Sequence, residues 1–171
     1  PYTTLFRSAF GNAWFVDKLD MVDNADAEIE ALNTIDPLRT AVVDKRFQED
    51  LEGFVPQKDS TATIVLEEYR PNRLTYKSKA DKEQLAVFSE VYYQPGWKAT
   101  VDGKEVPHFR ADWILRGMRV PAGEHTIVFE FRPSGYVTAA YVSSYSSFLI
   151  LLLLIAAIGW SGWKYWKKSK N

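Results

Sequence analysis

From Pro133 to Trp163 the chain carries not one charged side chain, and no other stretch constrains the molecule as much. Within it Phe148 to Ile158 reads Phe-Leu-Ile-Leu-Leu-Leu-Leu-Ile-Ala-Ala-Ile, nine of eleven residues being Leu, Ile or Phe. A helix from Tyr141 to Trp163 would be about 35 Å long, against a hydrocarbon core of about 30 Å. Those nine side chains supply roughly −3 to −5 kcal/mol of insertion free energy. That offsets Ser143, Ser144, Ser146 and Ser147, whose hydroxyls can bond back to the helix backbone. Tyr136, Tyr141 and Tyr145 mark one membrane interface, and Trp160, Trp163, Tyr165 and Trp166 the other. A transmembrane helix is therefore expected over 139–163, after a short connector (133–138) and before a basic tail (164–171). Lys164, Lys167, Lys168 and Lys170 put that tail in the cytoplasm by the positive-inside rule, so the preceding domain faces outward.

The formal net charge of −1 hides this asymmetry. Residues 1–132 carry 17 Lys and Arg against 22 Asp and Glu, a balance of −5, while the tail carries +4. A mildly acidic body offers no long basic surface for phosphates, so nucleic acid is not an expected partner. With no cysteine, the chain has neither disulfides nor a cysteine-based metal site or nucleophile.

The chain opens Pro-Tyr-Thr-Thr-Leu-Phe-Arg-Ser, with no methionine. Residues 1–8 resemble the in-frame translation of a short-read sequencing adapter and are set aside from the fold. On that reading the natural protein extends upstream, through a signal or further membrane helices.

Residues 9–132 read as one outward domain. Trp14 to Val22 has strand-like spacing. Asp23-Asn24-Ala25-Asp26 is a helix start, and Ala25 to Asn33 places Ile29 and Leu32 on one face. Ala41 to Asp44 is a further strand, and Phe47 to Asp59 a charged loop. Thr61 to Tyr69 and Arg73 to Ser78 flank a hairpin break, and the nearly continuous apolar run Gln84 to Tyr93 suits a central strand. Trp97, Ala99 and Val101 alternate with polar residues up to Asp102-Gly103, a tight two-residue turn. Phe109 to Leu115, Met118 to Val120, and His125 to Arg132 follow, the last with Ile127, Phe129 and Phe131 on one face. The expected fold is mainly β: an antiparallel β-sandwich with one short helix, followed by a single transmembrane helix.

Catalytic constellations do not emerge. His108 and His125 lie in no metal-ligand spacing and read as surface turn histidines. Glu67/Glu68 and Glu49/Asp50 are adjacent, so on a strand they face opposite ways. No cofactor, metal or catalytic residue is expected in these residues. The aromatic cluster Tyr92, Tyr93, Trp97 and Trp113, with Arg110, Arg116 and Arg119 nearby, is the better candidate. Three uses stay open for it: stacking on sugar rings, packing in the sandwich core, or docking onto a membrane region outside this chain. Tyr92, Tyr93, Trp97, Trp113 and Arg116 are the candidate glycan or docking contacts; Tyr141, Trp160, Trp163, Trp166, Lys164 and Lys167 are the candidate membrane anchors.

The segment Ala86-Val-Phe-Ser-Glu-Val-Tyr-Tyr-Gln-Pro-Gly-Trp-Lys-Ala-Thr-Val-Asp-Gly-Lys-Glu-Val-Pro107, with Pro121-Ala-Gly-Glu-His-Thr126 and the terminal apolar helix, resembles the C-terminal part of the YfhO family of bacterial membrane proteins. Asn12-Ala-Trp-Phe-Val16 and Ala41-Val-Val-Asp-Lys-Arg-Phe47 resemble it too, especially its Bacteroidota branch. The resemblance implies a polytopic protein similar to GT-C glycosyltransferases, with an outward β-domain before its last helix. It implies sugar transfer from a lipid-phosphate carrier to envelope polymers, teichoic acids among them, with the catalytic acid in an early outward loop. Expected partners are then the bilayer, the upstream transmembrane region, and an envelope glycan or lipid-linked sugar. The expected location is the bacterial cytoplasmic membrane. None of the family's catalytic residues falls on this sequence.

Overall fold

The computed structural model describes residues 11–169; the adapter-like segment 1–8 and residues 170 and 171 of the basic tail lie outside them. The chain forms two units, one ending at Phe131 and one beginning at Arg132.

The first unit is a three-layered β-domain. Its outer layer is a five-stranded sheet, ordered β4 (Thr63–Arg70), β5 (Arg73–Ala80), β11 (Gly123–Phe131), β7 (Trp97–Val101), β8 (Lys104–Val106). Its middle layer is a four-stranded sheet, ordered β1 (Ala13–Val16), β6 (Gln84–Val91), β10 (Leu115–Val120), β9 (Phe109–Ala111). Every pairing in these two sheets is antiparallel. Between them lies the main core, where Tyr76, Phe88 and Phe129 meet edge to face at centroid distances of 4.9–6.2 Å.

The third layer departs from the sequence expectation. Trp14 to Val22 is not one strand; it breaks at Asp17. β1 joins the middle sheet, while β2 (Lys18–Val22) pairs in parallel with β3 (Thr40–Asp44). A parallel pair needs a crossover, and helix α1 (Ala25–Leu32) supplies it. Asn24 caps that helix, its Oδ1 accepting from Ala27 N at 3.0 Å. The residue α1 buries is Glu28, 0% exposed, whereas Ile29 is 39% exposed. The expected charged loop, Phe47 to Asp59, begins inside a 3₁₀ turn (Lys45–Leu51) and sends Leu51 and Phe54 into a second core. That core joins Ala41 and Val43 of β3 to the back of the middle sheet.

β6 is thus covered on both faces, and all five residues from Gln84 to Phe88 are buried, which explains its unbroken apolar run. Beside it Gly117 faces Phe109, whose ring fills the space a Cβ would need.

The second unit is helix α2 (Ser134–Ser169), which takes in most of the residues assigned above to the connector. Within it Thr138–Lys167 is long and apolar enough to cross a membrane. Only Arg132 and Pro133 separate it in sequence from the end of β11.

Candidate functional site

Strand register gathers the candidate aromatics at one end of the β-domain. Phe131 pairs with Trp97 at the end of β11, and Val91 pairs with Leu115 where β6 ends and β10 begins. Tyr92 N donates to Ile114 O at 2.7 Å, tying the end of β6 to the turn between β9 and β10. Asn12 O accepts from Ser89 N at 2.9 Å near this same end.

Arg116 is the centre of the buried part. Its side chain is nearly enclosed, at 2% exposure for the residue. Nε donates to Val91 O at 3.0 Å. The guanidinium lies 4.1 Å from the Trp97 ring centroid and 5.2 Å from that of Phe129. One of its terminal nitrogens is buried without a partner, and burial lowers its pKa. Two π-faces therefore stand where a carboxylate would normally pair it. Trp97, half-buried, also tilts against Phe131 at 5.3 Å.

His108 corrects the surface-turn expectation. Its ring packs edge-on to Tyr92 at 5.6 Å and to Phe129 at 5.7 Å. Burial, with the Arg116 charge adding to it, drops its pKa to about 4, so the imidazole is neutral. Tyr92 continues the chain to Phe47 at 5.7 Å. Trp97 and Arg116 pack on each other, and Tyr92 packs on His108 and Phe47.

Tyr93 and Trp113 are different, at 54% and 42% exposure. Trp113 sits on a tight turn in which both Asp112 (φ 48°) and Trp113 (φ 70°) are left-handed, a conformation that disfavours bulky side chains. Buried carboxylates hold that turn. Asp112 N donates to Val42 O at 2.9 Å, and its Oδ1 accepts from Val42 N at 2.8 Å, docking the turn on β3. Glu28 accepts from Trp113 N at 2.9 Å through Oε1 and from Arg110 at 2.5 Å through Oε2. Asp44, held below the usual carboxylate range chiefly by Arg46, lies 3.6 Å from the same guanidinium. Asp112 Oδ2 has no partner, and desolvation, aided by the Glu28 charge, raises its pKa to about 6. The result is a strained turn, fixed from beneath, that presents Trp113 and Ile114 outward.

Glu28 and Asp112 escaped the sequence reading, and His108 was read as a surface residue. Glu28 meets partners 82 and 85 residues away, which no local pattern encodes. Asp112 did leave a trace, since Asp is enriched at left-handed positions between strands. His125, half-buried, joins two turns at the opposite end: Nδ1 lies 2.6 Å from Asp102 Oδ2, and Nε2 lies 3.0 Å from Ala122 O. Among the described residues no group of three His, Asp or Glu side chains is placed to hold a metal.

A family model described as bacterial membrane protein YfhO matches residues 48–143, more than half the chain. The chain belongs to the YfhO family. No curated protein and no solved structure matches it. The YfhO match runs from the 3₁₀ turn through all the later strands into the first turns of α2; of the aromatic end it leaves out Asn12, Phe47 and the supports on α1 and β3. On the YfhO helix the candidate anchors Tyr141, Trp160, Trp163 and Trp166 are all more than half exposed, with Trp160 and Trp163 edge to face at 5.9 Å. Lys164 and Lys167 are exposed near its C-terminal end.

Proposed function

We propose that this chain is the accessory β-domain and last membrane helix of a YfhO protein that transfers sugar from a lipid-phosphate carrier onto an envelope polymer. In this reading the domain recognises and positions, and the chemistry belongs to a carboxylate upstream. The domain faces outward from the bacterial cytoplasmic membrane and Lys164 and Lys167 face the cytoplasm. Its partners are the bilayer, the upstream membrane region, and an envelope glycan or lipid-linked sugar; it uses no cofactor.

One observation carries this reading. Four buried ionisable groups at the aromatic end are spent on the fold: Glu28 on Arg110 and Trp113 N, Asp44 on Arg46, Asp112 on Val42, Arg116 on Val91 O and Trp97. General acid–base work needs a proton-transferring group within reach of substrate, whereas the Trp113 turn presents an indole and an aliphatic side chain outward. The sugar class itself rests on the family resemblance alone.

The test is sugar release from a lipid-linked donor by the full-length protein in membrane vesicles. Neutralising each exposed carboxylate of residues 11–132 in turn is expected to leave transfer intact, while Trp113→Ala slows it. A domain carboxylate whose loss abolishes transfer without unfolding overturns the non-catalytic role. Absence of any transfer by the full-length protein leaves instead a membrane-anchored binding or assembly module, which the outward-facing Trp113 turn also suits.

A further inference from the structure

Among the described residues, nine large apolar side chains of the β-domain are more than a third exposed, and five of them, Tyr69, Val91, Tyr93, Trp113 and Ile114, lie at the end where β11 finishes. Val91, Tyr93 and Ile114 are neighbours through the Val91–Leu115 pairing and the Tyr92–Ile114 hydrogen bond. Tyr69 comes from the other sheet, one residue before the Arg70–Arg73 pair that closes the β4–β5 hairpin at this end. Scattered singly, exposed apolar residues need no explanation, but a cluster drawn from both sheets marks a contact surface. Strain at Asp112 and Trp113 adds weight, since the fold tolerates it to hold an indole outward.

We infer that this apolar collar contacts the headgroup layer of the bilayer and fixes the orientation of the β-domain on the membrane. Chain length supplies the occupant. Tyr141 and Trp160 are 19 positions apart, about 29 Å of helix, which matches a hydrocarbon core of about 30 Å with an aromatic at each boundary. Ser134 is then about 10 Å outside that core along the helix, and the headgroup layer takes up about 5–7 Å of it. Phe131 is three Cα–Cα steps from Ser134, so at most about 11 Å away. An end tethered this closely has the headgroup layer within reach, and that is the depth amphipathic Tyr and Trp rings prefer. Charge plays little part, because residues 1–132 carry a balance of −5 and anionic lipid would repel them. The inference rests on the outward placement proposed above but not on sugar transfer.

The absence of cysteine makes the test direct. Single variants Val91→Cys, Tyr93→Cys and Ile114→Cys are spin-labelled in the chain reconstituted in phosphatidylcholine nanodiscs. Val55→Cys serves as control, being 71% exposed and grouped with Lys82 and Glu83 at the opposite end. Power saturation then compares accessibility to oxygen, which partitions into lipid, with that to a water-soluble nickel chelate. The collar labels are expected to favour oxygen and the residue-55 label nickel, with the contrast unchanged in high salt. Collar labels matching the control overturn the inference. Collar labels shielded from both agents also overturn it, since the surface is then covered by protein, a second copy of the chain in this preparation. Circular dichroism matching that of the parent chain confirms that each variant is folded. Because the readout involves no donor sugar, its failure and that of the transfer assay are separate results.

Discussion

Asp112→Asn isolates one buried charge. Asp112 is 6% exposed; Oδ1 is used by Val42 N, and Oδ2 is buried without a partner beside the Glu28 charge. Asn keeps the Oδ1 acceptor, matches the shape and tolerates the left-handed φ of 48°; the amide N–H groups it puts in place of Oδ2 act equally at every pH, so the pH dependence reports the ionisation. The folded-state pKa stands at about 6 against an ordinary 3.8. Between those values the folded chain holds a proton that the unfolded chain has lost, so stability falls as pH rises through this window. Each pKa unit is 1.36 kcal/mol, which sets the loss at about 3 kcal/mol at most, complete once pH exceeds the folded value. Equilibrium urea unfolding in detergent micelles, followed by the β signal in circular dichroism, measures it for both proteins from about pH 4 to 8. The variant should gain on the parent steadily from about pH 4 to about 6 and then hold a constant lead. Working with the difference cancels other carboxylates, including Asp50, which burial raises, and Asp59, lowered to about 2 by Thr61. A gap independent of pH, or one that favours the parent as pH rises, refutes the reasoning.

Gly117→Ala should destabilise by about 1–3 kcal/mol, because the new methyl meets the buried Phe109 ring in a filled core; thermal unfolding measures it. For His125 both ring nitrogens face acceptors, so the doubly protonated ring satisfies both, and the pKa is raised chiefly by Asp102. The clamp is expected to be intact below the ordinary histidine range and to weaken as pH rises through the folded value. NMR titration of the His125 ring should show a high midpoint that falls in Asp102→Asn; an unchanged midpoint sinks the assignment.

The parts of the fold visible in the sequence were those written locally. Continuous apolar character from Gln84 marked β6 as central because both of its faces are covered, and Asp102-Gly103 marked the β7–β8 hairpin because a left-handed pair is needed there. The α1 face was misread for a physical reason. Ile29 and Leu32 have the right spacing for a core stripe, but Glu28 takes the buried position because Arg110 on the distant β9 and Trp113 N in the turn after it compensate its charge. His108 was misplaced in the same way, since a residue after a hairpin looks exposed until Phe129 and Tyr92 close around it. Of the candidate site, the residue types were legible and their division was not. Trp97 and Arg116 pack on each other, while Tyr93 and Trp113 stay outward, and only tertiary register separates the two pairs.

Asn12 and Phe131 lie near one end of the β-domain, which leaves the opposite end, with its Asp102-Gly103 turn, clear of the connection to the helix. A Cβ built at Gly103 meets nothing within 4 Å, so this tip has room. A fluorescent label attached at Lys104→Cys, exposed beside this turn, would therefore ride on the domain while Asp102-Gly103 keeps the β7–β8 register, and could be read in living cells from whichever compartment it occupies.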